Sequence, residues 1–208
     1  FTRSQLNEAL QKAELPTVGQ LPSFTVPYQD ANSHILAFTQ KRSLLHYDYK
    51  KGAIVARYAL KANWQNLDFC PANKQFAFTQ GNNLYLLSSE GDTTVVTNEQ
   101  EEGIVCGQAV HQREFGISKG TFWSPKGTAL AFYRMDERMV TTYPLVDINS
   151  RCASLMPHKY PMAGMKSHEV TVGVYQVATG KTVWLKSGLP KEKYLTNIVW
   201  SPDEQHIY

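Results

Sequence analysis

The tetrapeptide Ala37-Phe38-Thr39-Gln40 returns as Ala77-Phe78-Thr79-Gln80, a shift of 40 residues. Each copy precedes turn residues and a second apolar run. A related unit recurs three times: an aromatic residue, one intervening residue and proline, then a polar turn and an apolar strand. It reads Phe69-Cys70-Pro71, Trp123-Ser124-Pro125 and Trp200-Ser201-Pro202. A period near 40 residues made of short strands predicts the blades of a β-propeller, in which one sheet cannot bury its faces alone and stacks on its neighbours. The proline is tolerated where strand pairing ends, and the aromatic ring is expected between blades. The spacings from Pro71 to Pro125 (54) and from Pro125 to Pro202 (77) exceed the period. They predict insertions around 103–120 and 136–169. A β-sandwich is the structural alternative, but it does not require one tetrapeptide twice in the same context.

The strand pattern supports this division. Aromatic and β-branched runs such as Leu84-Tyr85-Leu86-Leu87 and Ala129-Leu130-Ala131-Phe132-Tyr133 are separated by Lys50-Lys51-Gly52, Glu90-Gly91-Asp92 and Thr179-Gly180-Lys181. One stretch differs: Leu6 to Leu15 carries apolar positions 6, 9, 10 and 13 at helical spacing and should be a short helix ending before Pro16. The expected fold is all-β, a partial propeller of about three four-stranded blades with a short N-terminal helix. Residues 1–19 form the helical segment and 20–208 the propeller part. The blades fall at about 21–60, 61–98 and 104–188, and residues 195–208 open the next. Three blades cannot close a ring, so exposed blade faces and edges predict association with a second copy or marginal stability. The absence of an initiator methionine and the stop inside the apolar run at Ile207-Tyr208 are expected of a segment of a longer protein.

Composition excludes several functions. Of 208 residues, 42% are apolar and 19% charged, a globular balance, and the net charge is only +3. The 21 basic residues are scattered, which argues against a nucleic-acid footprint. No run of 18 apolar residues exists to cross a membrane. Cys70, Cys106 and Cys152 lack metal spacing and are expected as buried or half-buried thiols. Of the six histidines, most are expected in turns or at the surface, and none forms H-E-x-x-H. The nucleophile elbow G-x-S-x-G and the glycine-rich phosphate loops are missing as well. No catalytic residue, metal or cofactor is therefore expected in this chain.

One polar segment stands out, Val110-His111-Gln112-Arg113-Glu114-Phe115-Gly116, inserted ahead of the third blade's Trp123-Ser124-Pro125. A carboxylate projected from a propeller loop can pair with a substrate ammonium through a charge-assisted contact. A solvated loop with an Arg113–Glu114 surface pair is the plainer reading.

The chain also resembles a known family. Phe122-Trp123-Ser124-Pro125-Lys126-Gly127, followed by Leu130-Ala131-Phe132-Tyr133-Arg134-Met135-Asp136-Glu137 and Val140, is similar to its W-S-P-x-G…(I/L)-A-(F/Y)-x-R-x-D-E-x-x-V. Tyr160-Pro161-Met162-Ala163-Gly164 resembles Y-P-K-A-G, and Val170 to Gly180 resembles V-x-(L/V)-G-V-Y-x-x-x-T-G. The family is dipeptidyl peptidase IV and its relatives, including bacterial prolyl tripeptidyl peptidases. The resemblance is strongest over 104–208.

It implies an eight-bladed propeller joined to an α/β-hydrolase domain that holds the serine, histidine and aspartate triad and follows in sequence. It implies a helical, glutamate-bearing insertion that grips the substrate's free amino group. Carried over, that position is Glu114, with Arg113 standing where relatives offer a second glutamate. This departure leaves dipeptide and tripeptide release both open. Arg42 is a weaker candidate for a substrate carbonyl. The implied function is the non-catalytic part of a serine exopeptidase acting on X-Pro peptides. Its partners would be a peptide with a free N-terminus, the hydrolase domain and a second copy, in the periplasm or at the surface of a bacterium. An independent protein-interaction propeller and a solute- or glycan-binding propeller are the alternatives.

Overall fold

The computed structural model describes residues 1–28 and 32–208; residues 29–31 of the first expected blade lie outside the described residues. Helix α1 spans Arg3–Lys12. It starts earlier than the apolar spacing suggested because Thr2 and Gln5 form a reciprocal capping box, which satisfies two otherwise unpaired backbone donors. It also stops earlier, at Ala13, short of Pro16.

Fourteen strands follow among the described residues, and they fall into successive antiparallel sheets. The first sheet is β1 (Ile35–Gln40), β2 (Ser43–Asp48) and β3 (Ala53–Ala59). Its inner edge is represented by a single bridge between Thr25 and Ala37, so this sheet has three full strands and not four. The second is a four-stranded meander of β4 (Gln65–Cys70), β5 (Gln75–Gln80), β6 (Asn83–Leu87) and β7 (Thr93–Val95). The two copies of Ala-Phe-Thr-Gln occupy equivalent places, in β1 and β5, each paired with the strand that follows it.

The third sheet contains β8 (Ile104–Cys106), β9 (Thr121–Trp123), β10 (Ala129–Asp136), β13 (Glu169–Gln176) and β14 (Lys181–Trp184). Both β8 and β9 pair with β10, β9 at its start and β8 at its end. The inner strand of this blade is thus made of two pieces, and residues 107–120 loop out between them. The expected insertion 103–120 accordingly includes a strand. Three residues are too few to give a periodic signal, which is why β8 was not legible. The second insertion is folded too. Strands β11 (Thr142–Asp147) and β12 (Ser154–Lys159) make a separate two-stranded arm. A bridge between Trp200 and Ile207 begins a further sheet.

Packing follows the stacking of sheets. Tyr58, Trp64, Phe76, Phe78 and Leu87 fill the space between the first and second sheets. Ala77, Leu84, Leu86, Cys106, Leu130 and Phe132 fill the next. Val110, Ile117, Ala131, Tyr133 and Val172 pack with Ile198, Trp200 and Ile207 in the third. The outer face of the first sheet is not left bare, as blade counting suggested. Leu6, Ala9 and Leu10 of α1 cover Phe38, Leu45 and Tyr47, and each leucine so buried contributes about 2 kcal/mol.

The aromatic-x-Pro repeat has a clear mechanical role. The Trp123 indole N–H donates to the Asp68 carbonyl at 3.1 Å, and the Trp200 indole to the Phe122 carbonyl at 2.9 Å. In both cases the acceptor lies one residue before the aromatic of the preceding blade. Phe69, with no such donor, instead packs edge-on against Tyr28 and His46. The turns are chained likewise: Asn73 donates to the Gly127 carbonyl, and Glu204 accepts from the Lys126 N–H and the Thr128 hydroxyl. Gly127 must be glycine, since its φ is +70° and a Cβ would lie 2.8 Å from Cys70 Sγ.

Two expectations about single residue types need correction. Cys70 and Cys106 are buried, but Cys152 is exposed at the tip of the arm. Three of the six histidines, His46, His111 and His168, are buried, because they fill spaces between elements that converge from distant parts of the chain.

Candidate functional site

The looped-out segment 107–120 carries the candidate site. Its neck closes on Tyr133, whose carbonyl accepts from the Gly107 N–H at 2.8 Å and whose N–H donates to the Gly120 carbonyl at 3.0 Å. Val110 and Ile117 anchor the loop in the core. Between them, residues 111–116 make a short turn and not the regular helix the resemblance implied. His111, Gln112, Arg113 and Phe115 have φ between +51° and +64°, whereas Glu114 is extended at φ −64°, ψ 160°. Each left-handed non-glycine residue costs roughly 1 kcal/mol, so contacts from outside must hold this geometry.

Several do. The His111 N–H donates to His168 Nε2 at 3.0 Å, from just before β13. The His111 ring stacks on Tyr194 (4.0 Å) and makes a tilted contact with the His168 ring (4.4 Å). Gln112 donates to the Lys159 carbonyl at the end of β12. The Tyr194 hydroxyl donates to Glu114 Oε2 at 2.9 Å, and Phe115 packs edge-on against the same ring. Tyr194 is itself fixed through its neighbour, because the Tyr133 hydroxyl donates to the Leu195 carbonyl at 2.5 Å. Burial pushes the Tyr133 phenol up to about 12.

Glu114 borders a pocket of about 200 Å³ with walls from His111, His168, Tyr160, Met162, Met165 and Tyr194. Among the described residues, its Oε1 has no hydrogen-bond partner and its carboxylate no ion pair. Burial, with His168 adding to it, lowers His111 to about 4, and burial also lowers His168. Both rings are therefore neutral near pH 7, and among the described residues Glu114 is the one formal charge lining the pocket. The shift of His111 is opposed by Glu114 and by the nearby Lys193 backbone, yet among the described residues neither of its ring nitrogens makes a hydrogen bond.

Arg113 is adjacent in sequence but lines a different cavity, of about 350 Å³, with Glu137 and His158. It makes no ion pair with Glu114. Arg42 sits in the β1–β2 turn beside Glu14, Gln40 and Arg57, in a depression that shares no residue with the Glu114 pocket. The structure thus brings Glu114 together with His111, His168 and Tyr194, which sequence reasoning did not single out. It does not bring Arg42 to them. Among the described residues, no three His, Cys, Asp or Glu side chains are grouped to hold a metal ion, and no helix is long and apolar enough to cross a membrane.

Sheets stacked in sequence order, pinned by one repeated indole contact and interrupted by a loop that exposes a carboxylate, define a segment of a β-propeller. Residues 32–208 match the family model described as the dipeptidyl peptidase IV N-terminal region. The chain belongs to that family. It is 46% identical to a Bacteroides ovatus protein whose crystal structure is assigned as a dipeptidyl aminopeptidase IV, over 100% of this chain and 28% of that one, with a TM-score of 0.86. The crystal structure of Porphyromonas gingivalis dipeptidyl peptidase 4 shares the fold at 21% identity and a TM-score of 0.68, over 92% of this chain and 29% of that one. A protein assigned as dipeptidyl-aminopeptidase B in Phaeosphaeria nodorum is 30% identical over 159 residues, which is 67% of this chain and 18% of that protein. The chain thus spans about a fifth of the length of the curated relatives it matches.

Proposed function

We propose that this propeller segment is the substrate-gripping, non-catalytic part of a serine exopeptidase, and that Glu114 binds the N-terminal ammonium of the peptide. The observation that carries the reading is the pocket's charge balance. A single carboxylate, oriented by Tyr194 and with one oxygen free, faces neutral aromatic, imidazole and thioether walls. A primary ammonium satisfies that oxygen by a charge-assisted hydrogen bond, and Tyr160 and Tyr194 offer aromatic surface to the same cation. Cleavage belongs to an α/β-hydrolase domain of the same protein. Only a chain end presents an ammonium, so this grip favours removal of short N-terminal pieces over internal cleavage.

The test is Glu114→Gln in the full-length protein, assayed on an X-Pro amide with a free N-terminus. Loss of a charge-assisted contact is expected to lower kcat/KM by about 10- to 100-fold, mostly through KM. Unchanged kinetics would exclude the role.

The same reading includes pairing with a second copy through the arm β11–β12. Its Val146 (54% exposed), Ile148 (88%), Leu155 (69%) and Met156 (54%) present apolar surface that this chain does not cover. Leu155→Glu is expected to shift the protein from dimer to monomer in light scattering. A wild type that is already monomeric at micromolar concentration would overturn the pairing.

A further inference from the structure

We infer that His168 is a positioning residue for Glu114: as a neutral acceptor it fixes the start of the left-handed turn and so sets where the carboxylate stands. The inference rests on the reading of Glu114 as the ammonium anchor and adds to it a residue 54 positions away in the chain.

The geometry is specific. His168 is 2% exposed, and its Nε2 receives the His111 backbone N–H at 3.0 Å. An acceptor at Nε2 places the ring proton on Nδ1. His111 is the first of three consecutive residues with positive φ, a conformation the backbone does not hold unaided. Gln112 and Tyr194 hold the turn from the side-chain side, but His168 supplies the contact to its opening backbone donor. The two imidazoles also pack against each other, with ring centres 4.4 Å apart and planes tilted by 34°, which adds a second contact between His168 and the turn.

Protonation ends this arrangement. An imidazolium has donors at both nitrogens and cannot accept the His111 N–H. It would also place a cation in the pocket that Glu114 is meant to keep for the substrate. The groups facing His168 are Glu114 and His111 on the turn, Tyr194 on the segment leading to the next blade and Tyr160 at the base of the arm. At the start of β13, next to His168, Glu169 is engaged by Lys191 at 3.7 Å. Glu114 favours the protonated ring, but burial outweighs it and holds His168 below the usual imidazole range. The latch is therefore closed at neutral pH and opens only on acidification.

The test compares three variants of the full-length protein on an X-Pro amide with a free N-terminus, with KM and kcat measured from pH 5 to 8. His168→Phe keeps a ring to pack against His111 and removes the acceptor. It is expected to raise KM about tenfold with kcat nearly unchanged, the scale of a displaced binding group. His168→Gln restores an acceptor that does not titrate. It should return KM to near wild type and abolish the rise in KM expected of wild type toward acid pH. Glu114→Gln, run in parallel, separates the two claims. If it leaves KM unchanged, the anchor reading fails. If it raises KM while His168→Phe does not, the anchor stands and the positioning role is overturned. Equal damage in the Phe and Gln variants would also overturn it. Should His168→Phe fail to fold, the pH profiles of wild type and His168→Gln decide, and an identical acid limb in both overturns the inference.

Discussion

Gly120→Ala is expected to lower the melting temperature by about 6–12 °C, which corresponds to about 3 kcal/mol for a chain of this size. A Cβ at this position would stand 2.1 Å from the Gln108 carbonyl oxygen and 2.3–2.4 Å from its carbonyl carbon and nitrogen. These are backbone atoms and cannot rotate away. Gly120 and Gly107 flank Tyr133, so relief of the overlap has to pull apart the neck that joins β8 and β9 through β10. The loop above that neck carries Glu114, so the ammonium binding proposed for it should weaken along with stability. Gly116→Ala is the control. Its φ is +76° but nothing lies within 4 Å of the added methyl, so the cost should stay near 1 kcal/mol. Differential scanning calorimetry of both variants checks the ordering. Equal melting points for Gly120→Ala and wild type would mean that the loop neck is not built as described.

The difference between these two glycines shows where the sequence is informative. Repeated units were legible because every blade solves the same packing problem. Trp123 and Trp200 meet equivalent carbonyls, and the two Ala-Phe-Thr-Gln segments occupy equivalent strands. The capping box at Thr2 and Gln5 was also readable, as a Thr-x-x-Gln signature, and would have placed the helix start correctly. The arm was obscured by Pro144 and Pro157, which face one another in its ladder at an exposed, two-stranded edge where proline is tolerated.

The candidate site was legible only in part. Glu114 could be singled out because it is a carboxylate in an inserted loop. Nothing local announces that His111, Gln112, Arg113 and Phe115 adopt left-handed geometry, since none is glycine. His168 and Tyr194 join the site from 57 and 83 residues beyond His111. Such contacts follow from how the third sheet is threaded. They leave no trace in spacing or composition.

Acidification from pH 7 to 4.5 is expected to remove several kcal/mol of stability before the ion-paired carboxylates are involved. His46 is 1% exposed and His111 3% exposed, and among the described residues neither ring has a hydrogen-bond partner for its nitrogens. Burial lowers both from 6.5 to about 4. The unfolded chain therefore binds protons at these sites between about pH 6.5 and 4 while the native state refuses them. Stability is fully present above 6.5, falls through this window and loses nothing further from these rings below 4. A depression of this size corresponds to roughly 3 kcal/mol for each imidazole. The surroundings offer little relief. His46 faces Tyr28, Tyr58 and Phe69, and the two phenols stay uncharged throughout. His111 faces His168, Tyr194 and Glu114, and although Glu114 and the Lys193 backbone favour its protonation, burial outweighs them. Asp136, held low by Arg138, adds a loss in the same direction but below the usual carboxylate range. Glu137, raised by burial, offsets part of the loss because the native state takes up its proton first. Urea unfolding at pH 7, 5.5 and 4.5 reads the sum. His46→Phe keeps an aromatic ring between the first two sheets and cannot titrate, so it should flatten part of the dependence, with His111 and His168, both also lowered by burial, carrying the rest. A wild type equally stable at pH 7 and 4.5 would show that these imidazoles find water or a partner on protonation, and that the contacts between the sheets are looser than their packing implies.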